Sequence, residues 1–284
     1  MNGLVNYEQK IIHTERGSFE IFIRGNGKPL CITHLYQEFS ISGSAFADCL
    51  SSFYKVILVN LKQAGNSAKA RNSNELTMSE TVKDLESIRT ALGYPKWSFA
   101  GHSTGGFLGL TYATSKPEVL DSLILCASSA SKEFVNSGDC IYNFKTGQHR
   151  KEVSKIFFSL MLPFASKTKK SIATKKLIEL SLYKPEKYNE YFSEQPFSKI
   201  IKKRMRAYNK DLKTYDVRDQ LKHINLPTLI LCGQHDVQCP VLYSKEIHTL
   251  IPDSKLVIFE DSNHFPFIEE KESFITAVRE FATI

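Results

Sequence analysis

No apolar run in this chain approaches the roughly 20 residues that a membrane-spanning helix needs. The first ten residues, Met1 to Lys10, are mostly polar, where a secretory leader would carry a basic stretch and then an apolar one. Neither a membrane span nor a signal segment is therefore expected. The six cysteines stand at 31, 49, 126, 140, 232 and 239, with no C-x-x-C pair and no ligand-like spacing. Metal and dithiol chemistry thus have no motif to rest on. Cys31, Cys126 and Cys232 lie inside apolar runs and read as reduced core residues, which fits a cytoplasmic setting. Residues 131–215 hold 19 Lys and Arg against 8 Asp and Glu, a local +11 that leaves −4 for the remainder of a +7 chain. Yet this basic stretch has no aromatic interleaving and no nucleic-acid motif. It reads as a solvated helical face, with an electropositive lid as the functional alternative.

What is present is a globular composition. The 284 residues are 42% hydrophobic and 24% charged, enough for one large α/β core plus an insertion. Lys10–Glu15 and Ser18–Arg24 read as a hairpin, followed by buried strands at Leu30–Thr33 and Lys55–Asn60. Phe46–Phe53 reads as a short helix. Thr77-Met78-Ser79-Glu80 opens a longer one, whose stripe Val82, Leu85, Ile88 and Leu92 ends at Gly93. Further strands are expected at Trp97–Ala100, Leu123–Ala127, Thr228–Cys232 and Lys255–Phe259, and a closing helix at Phe274–Phe281. This alternation predicts an α/β fold with a mostly parallel sheet and helices on both faces. Residues 131–215 interrupt it, with helical stripes such as Val153, Ile156, Phe157 and Leu160 and no strand-like run.

The chemistry concentrates at Gly101-His102-Ser103-Thr104-Gly105-Gly106, between the apolar run at Trp97–Ala100 and the helical stripe Phe107, Leu108, Leu110, Tyr112. Strand, G-x-S-x-G and helix together make a nucleophile elbow. Glycines at 101 and 105 let strand and helix approach closely, and the turn lifts the Ser103 hydroxyl above the sheet edge. The helix N-terminus then aims backbone N–H groups at the reacting centre.

A serine hydroxyl needs a base, and position discriminates among the eight histidines. His13 lies in the hairpin, His149 and His223 in or beside the insertion, and His248 in a helical stretch. His264 lies in the loop beyond the last strand, on the rim where the carboxyl ends of parallel strands gather. The base needs an acid to hold its tautomer. Asp236 ends the penultimate strand on that rim, whereas Ala127–Lys132, after the preceding strand, contains no carboxylate. The order Ser103, Asp236, His264 is the one this arrangement expects.

Gly101–Gly106, Gly233–Asp236 and Asn263-His264, at this spacing, resemble the α/β-hydrolase family over nearly the whole chain. Asp236-Val237-Gln238-Cys239-Pro240 and His264-Phe265-Pro266-Phe267-Ile268-Glu269-Glu270 resemble its proline-iminopeptidase-like members. Where that family commonly reads His-Gly-Gly-Pro-Gly or His-Gly-x, this chain reads His34-Leu35-Tyr36-Gln37-Glu38, and a Gly-Gly-Glu signature in the insertion is missing. The resemblance implies the backbone N–H groups of Tyr36 and Thr104 as the oxyanion donors. It implies neither a metal nor an organic cofactor.

The expected architecture is a core of residues 1–130 and 216–284 with a helical cap at 131–215. The expected activity is a serine hydrolase acting on a small ester or amide, lactones and thioesters included. It would work through an acyl-enzyme on Ser103, with no nucleic-acid or membrane partner and the oligomeric state left open. An aminopeptidase of the proline-iminopeptidase type and a slow-turnover ligand receptor are the rival readings. Phe157, Phe158, Tyr188, Tyr191 and Phe192 are candidates for lining an acyl pocket or for packing the cap. Glu186, Glu190 and Glu194, four apart, are candidates either for an ammonium site or for surface pairs with Lys184, Lys187 and Lys199.

Overall fold

A computed structural model describes residues 6–162, 166–193 and 199–283. The strands are β1 (Glu8–Thr14), β2 (Gly17–Arg24), β3 (Pro29–Ile32), β4 (Gln37–Glu38), β5 (Lys55–Val59), β6 (Trp97–His102), β7 (Leu120–Cys126), β8 (Lys199–Ile200), β9 (Thr228–Gly233) and β10 (Ser254–Phe259). The helices are α1 (Ala45–Leu50), α2 (Met78–Ala91), α3 (Thr104–Ser115), α4 (Arg150–Met161), α5 (Lys167–Glu179) and α6 (Tyr188–Tyr191). Then follow α7 (Lys202–Asp211), α8 (Arg218–Leu221), α9 (Val241–Leu250), α10 (Pro266–Glu269) and α11 (Lys271–Ala282). No described helix is long and apolar enough to cross a membrane.

Eight strands form one sheet in the order β1-β2-β5-β3-β6-β7-β9-β10. Only β1–β2 and β2–β5 pair antiparallel; the remaining ladders are parallel. The central strands are near-continuous apolar runs because both faces of the sheet are covered. On one face the core includes Leu85 and Ile88 of α2, Phe107 and Leu108 of α3, and Ile247 of α9. On the other it includes Phe46 and Leu50 of α1 and Phe274, Val278 and Phe281 of α11. Thr77 caps α2, accepting from the Glu80 N–H, as the sequence predicts. The buried indole of Trp97 donates to Tyr112 Oη at 2.9 Å, and that hydroxyl donates to Glu86, so the apolar centre holds no orphaned donor there.

Several expected element ends shift, the closing helix among them: α11 opens at Lys271, three residues before Phe274. α1 ends at Leu50, three residues short of Phe53, and β7 starts at Leu120, three residues before Leu123. A larger departure lies within residues 131–215, where β8 pairs antiparallel with β4, Glu38 opposite Lys199 and Gln37 opposite Ile200. No apolar pattern announces β8, because both of its residues are exposed and the pairing is imposed by its partner. The two ends of this segment meet: Lys132 N donates to Tyr215 O and Val217 N to Ala130 O, each at 2.9 Å.

All six cysteines are free and buried. Burial pushes the thiols of Cys49 and Cys140 up to about 12, and those of Cys31, Cys126, Cys232 and Cys239 well above their ordinary value.

The contact that fixes β6 against α3 allows no side chain. A Cβ at Gly101 would stand 2.2 Å from the Gly105 carbonyl carbon and oxygen, and one at Gly105 would stand 2.4 Å from Thr33 O. Gly101→Ala must therefore push helix from strand and is expected to lower stability by about 3 kcal/mol or more. Urea denaturation measures this, and an unmoved midpoint would refute the close-packing account.

Candidate active site

Ser103 follows β6 directly and precedes α3. Its backbone sits at φ 54°, ψ −121°, a conformation that costs a non-glycine residue on the order of 1–3 kcal/mol. The turn is held from below, since Ser103 N donates to Cys126 O and Gly106 N to Ser103 O, both at 2.9 Å.

Asp236 lies three residues past β9. Its Oδ1 accepts from the backbone N–H groups of Gln238 and Cys239, both at 2.8 Å, which fixes the carboxylate plane. His264 Nδ1 lies 3.0 Å from both Asp236 oxygens, and the two residues are 2% and 3% exposed. This pairing makes Nδ1 the protonated nitrogen and leaves Nε2 free to accept. Among the described residues no hydrogen bond joins Ser103 Oγ to His264. The neighbouring His102 does meet it, its Nε2 standing 2.9 Å from His264 O and the two rings 4.6 Å apart.

The loop carrying His264 is anchored by residues that the sequence reading missed. Glu269, in α10, accepts from the N–H groups on either side of His264, those of Asn263 (2.9 Å) and Phe265 (3.4 Å), and from Tyr183 N at 2.6 Å. Burial raises the Glu269 pKa, and those same N–H groups pull against the rise. His264 N donates to Ser181 O at 3.2 Å, and Asn263 Nδ2 to Leu180 O at 3.3 Å. In the sequence Glu269 figured only as part of the His264–Glu270 stretch that carries the family resemblance, which does not announce this anchoring role.

On the other side, His34 contacts the Thr104 hydroxyl, 3.1 Å from Nε2. The Tyr36 N–H reaches His34 Nδ1 only across 3.4 Å, a weak hold that leaves the donor open to a better acceptor. Burial is the largest cause that lowers the pKa of His34, to about 3, with the His264 and Arg204 charges adding to it. Burial likewise holds His102 well below its ordinary value, and His264 adds to the effect. Both rings are therefore neutral at physiological pH.

A cavity of about 660 Å³ opens beside this centre, its wall including Thr33, His34, Phe46, His102, Tyr191 and Phe192. Neither Ser103 nor His264 lines it. Phe158, one of the aromatic candidates for an acyl pocket or for packing the cap, is 67% exposed and is not part of this cavity's wall. Phe157 packs on Phe144 and Tyr142, and Tyr188 on Phe192. Glu186 and Glu190 do not share a helix: Glu186 lies in the 3₁₀ turn before α6, since Pro185 opens a separate turn there. Glu190 pairs with Lys187 at 3.5 Å, whereas Lys184 pairs with Asp261 and Lys199 with Glu38. Glu194 lies outside the described residues.

Comparison with known proteins places this geometry. Residues 21–271 match the sequence profile of the alpha/beta hydrolase fold. The structure superposes on an alpha/beta fold family hydrolase from Bacillus anthracis with TM-score 0.94 and 41% identity, covering 97% of this chain and 99% of that one. A proline iminopeptidase of Saccharolobus solfataricus is 27% identical over 83% of this chain and 78% of its own. A pimeloyl-[acyl-carrier protein] methyl ester esterase of Vibrio campbellii is 24% identical over 91% and 96%.

The depressed His34 pKa has a stability consequence with a definite sign. Unfolded, His34 takes up a proton near 6.5; folded, it does so only near 3. Between those values the unfolded state binds more protons, so this residue's contribution is intact above about pH 6.5 and is lost as pH falls toward 3. His34→Gln is therefore expected to lose less stability than the parent on acidification from pH 7.5 to 4.5, read as the shift of the urea midpoint. Parallel losses in the two proteins would contradict the buried neutral ring.

Proposed function

The chain belongs to the α/β-hydrolase family, and on that premise we propose that it is a serine hydrolase cleaving a small ester or related acyl substrate through Ser103, Asp236 and His264. The observation that carries the reading is the buried Asp236–His264 pair on the same rim as a serine at φ 54°. Ser103 Oγ attacks the carbonyl carbon while His264 Nε2 takes its proton. Asp236, bonded to Nδ1–H, stabilises the imidazolium. The N–H groups of Thr104 and Tyr36 receive the oxyanion. His264 then protonates the leaving group, and a water, deprotonated by the same ring, attacks the acyl-enzyme and returns Ser103. Residues 131–215 act as a cap over this centre, tied to the histidine loop through Leu180, Ser181 and Tyr183 and to the 34–38 loop through β8.

A specific observation ranks ester above amino-terminal amide. An aminopeptidase must pair the substrate's ammonium with a carboxylate near the nucleophile, since a buried unpaired charge costs several kcal/mol. The carboxylates at the rim and in the cavity wall are already engaged: Asp236 by His264 and two N–H groups, half-buried Glu269 by three N–H groups, Glu38 by Lys199 and the Gly65 N–H, and Asp48 by Arg24 and the Tyr7 hydroxyl. Among the described cap residues, Glu190 is exposed and paired with Lys187. Relatives named proline iminopeptidase keep the aminopeptidase as the second reading.

Asp236→Asn should keep the fold and lower kcat by about 10⁴-fold, as expected when the wrong imidazole tautomer is favoured. Near-parental turnover would move the acid elsewhere. A fluorophosphonate probe should label Ser103 alone, and labelling that survives Ser103→Ala would remove the nucleophile. Short acyl esters should be cleaved faster than proline amides, and blocking the proline amine should change little. A preference of about 100-fold for free-amine proline substrates, worth about 2.7 kcal/mol, would replace the esterase reading with the aminopeptidase.

A further inference from the structure

Lys202-Lys203-Arg204-Met205-Arg206 opens α7 as a run that reads as a solvated basic face, yet Arg204 is 1% exposed while Lys202, Lys203 and Arg206 are in solvent. Each part of its guanidinium has a partner. Nε donates to Leu35 O, Nη1 to Lys62 O at 3.3 Å and Nη2 to Thr81 Oγ1 at 3.0 Å. None of these partners is a carboxylate; Asp84 and Asp211 act on it only through space. Burial draws its pKa down to about 10, which still leaves it charged at neutral pH. Two carbonyls and a hydroxyl therefore hold a buried cation. An apolar side chain of similar volume commonly serves packing as well or better than a buried charge. The reason for an arginine here lies in what it touches.

The carbonyl that Nε reaches belongs to the Leu35–Tyr36 peptide, whose other end is the Tyr36 N–H. In a trans peptide the C=O and N–H point in opposite directions within one plane, so fixing the oxygen aims the hydrogen. The next carbonyl, Tyr36 O, accepts from Ile201 N at 2.7 Å, so α7 and the residue before it grip two successive peptides of this loop. A cation on the amide oxygen also polarises the group and strengthens its N–H as a donor. The Leu35 carbonyl is thus held by a side chain from a segment 169 residues away in sequence.

We propose that Arg204 is a positioning residue of the oxyanion hole, which pins the Leu35–Tyr36 peptide so that the Tyr36 N–H faces the tetrahedral intermediate. This rests on the reading of Tyr36 N–H as an oxyanion donor. Because Arg204 belongs to the cap, seating α7 on the core and completing the hole are one event.

The test compares Arg204→Met, Arg204→Gln and Arg204→Lys with a backbone variant in which Tyr36 is replaced by its α-hydroxy acid, turning its N–H into an ester oxygen. On a short acyl ester, Arg204→Met should lower kcat by about 10- to 100-fold, below the 10²–10³ typical of deleting a donor outright. KM should stay within about twofold, the acid limb of the pH profile should not move, and affinity for a boronic acid should fall in proportion to kcat. Arg204→Lys should recover part of the loss. Combined with the Tyr36 ester, Arg204→Met should add little, because both act through one N–H. Unchanged kcat in Arg204→Met, a raised KM with kcat kept, or full additivity with the ester would each overturn the proposal. Should Arg204→Met fail to fold by circular dichroism, Arg204→Gln carries the same test, and parental kcat there overturns it. A Tyr36 ester with parental kcat would refute the oxyanion reading itself. An ester that loses kcat beside unaffected Arg204 variants would refute only the role of Arg204.

Discussion

The rest of this molecule depends on a steric constraint at one turn, the approach of β6 to α3 across Gly101 and Gly105. With no Cβ at either position, the helix starts close enough to the sheet that Ser103 must adopt its unfavourable φ and ψ. The strain is sustained because the apolar flanks, Trp97 and Phe99 before the turn and Phe107 and Leu108 after it, are fully buried on fixed elements. Local geometry and global core are thus coupled: loosening the core would relax the serine, and the elbow survives only inside a well-packed sheet.

Around that turn the two loops of the candidate site are held by one stretch of chain, from Leu180 to Arg204. Leu180, Ser181 and Tyr183 hold the loop bearing His264, while Ile201 and Arg204 hold the loop bearing Tyr36. The two groups of contacts belong to stretches separated by α6 and β8, so the segment straddles the rim. Neutral His34 and His102 flank the remaining imidazole; burial is the largest cause that keeps them so, and neighbouring charges, that of His264 first, add to it. The sheet supplies position, and the segment above it supplies orientation.

The parts of this arrangement written in local pattern were legible beforehand. The β and α alternation, the elbow, the aspartate after β9 and the histidine after β10 each rest on runs of apolar residues or on position relative to a strand end. Element ends moved by up to three residues, as at Leu50 and Leu120, since packing sets where a strand or helix stops. β8 could not be read, because Lys199 and Ile200 are ordered by β4 and carry no periodicity of their own. Phe158, a candidate for either the pocket or the packing of the cap, is exposed instead, because helical spacing alone does not say which face meets a neighbour. Arg204 lay hidden in a basic run. Its one sequence mark was Ala207 and Tyr208, three and four residues on, which are buried with it on the same face of α7.

The six buried thiols carry a consequence for following the protein in solution. With burial holding Cys49 and Cys140 up at about 12 and the other four well above their ordinary value, almost no thiolate exists at neutral pH, and a closed molecule is silent toward alkylating reagents. Each cysteine occupies a different place: Cys31 in β3, Cys49 in α1, Cys126 in β7, Cys140 before α4, Cys232 in β9 and Cys239 just past it. In space, however, Cys140, Cys232 and Cys239 lie together and open as one region, whereas Cys31 reports the centre of the sheet, so their modification rates time two separate openings.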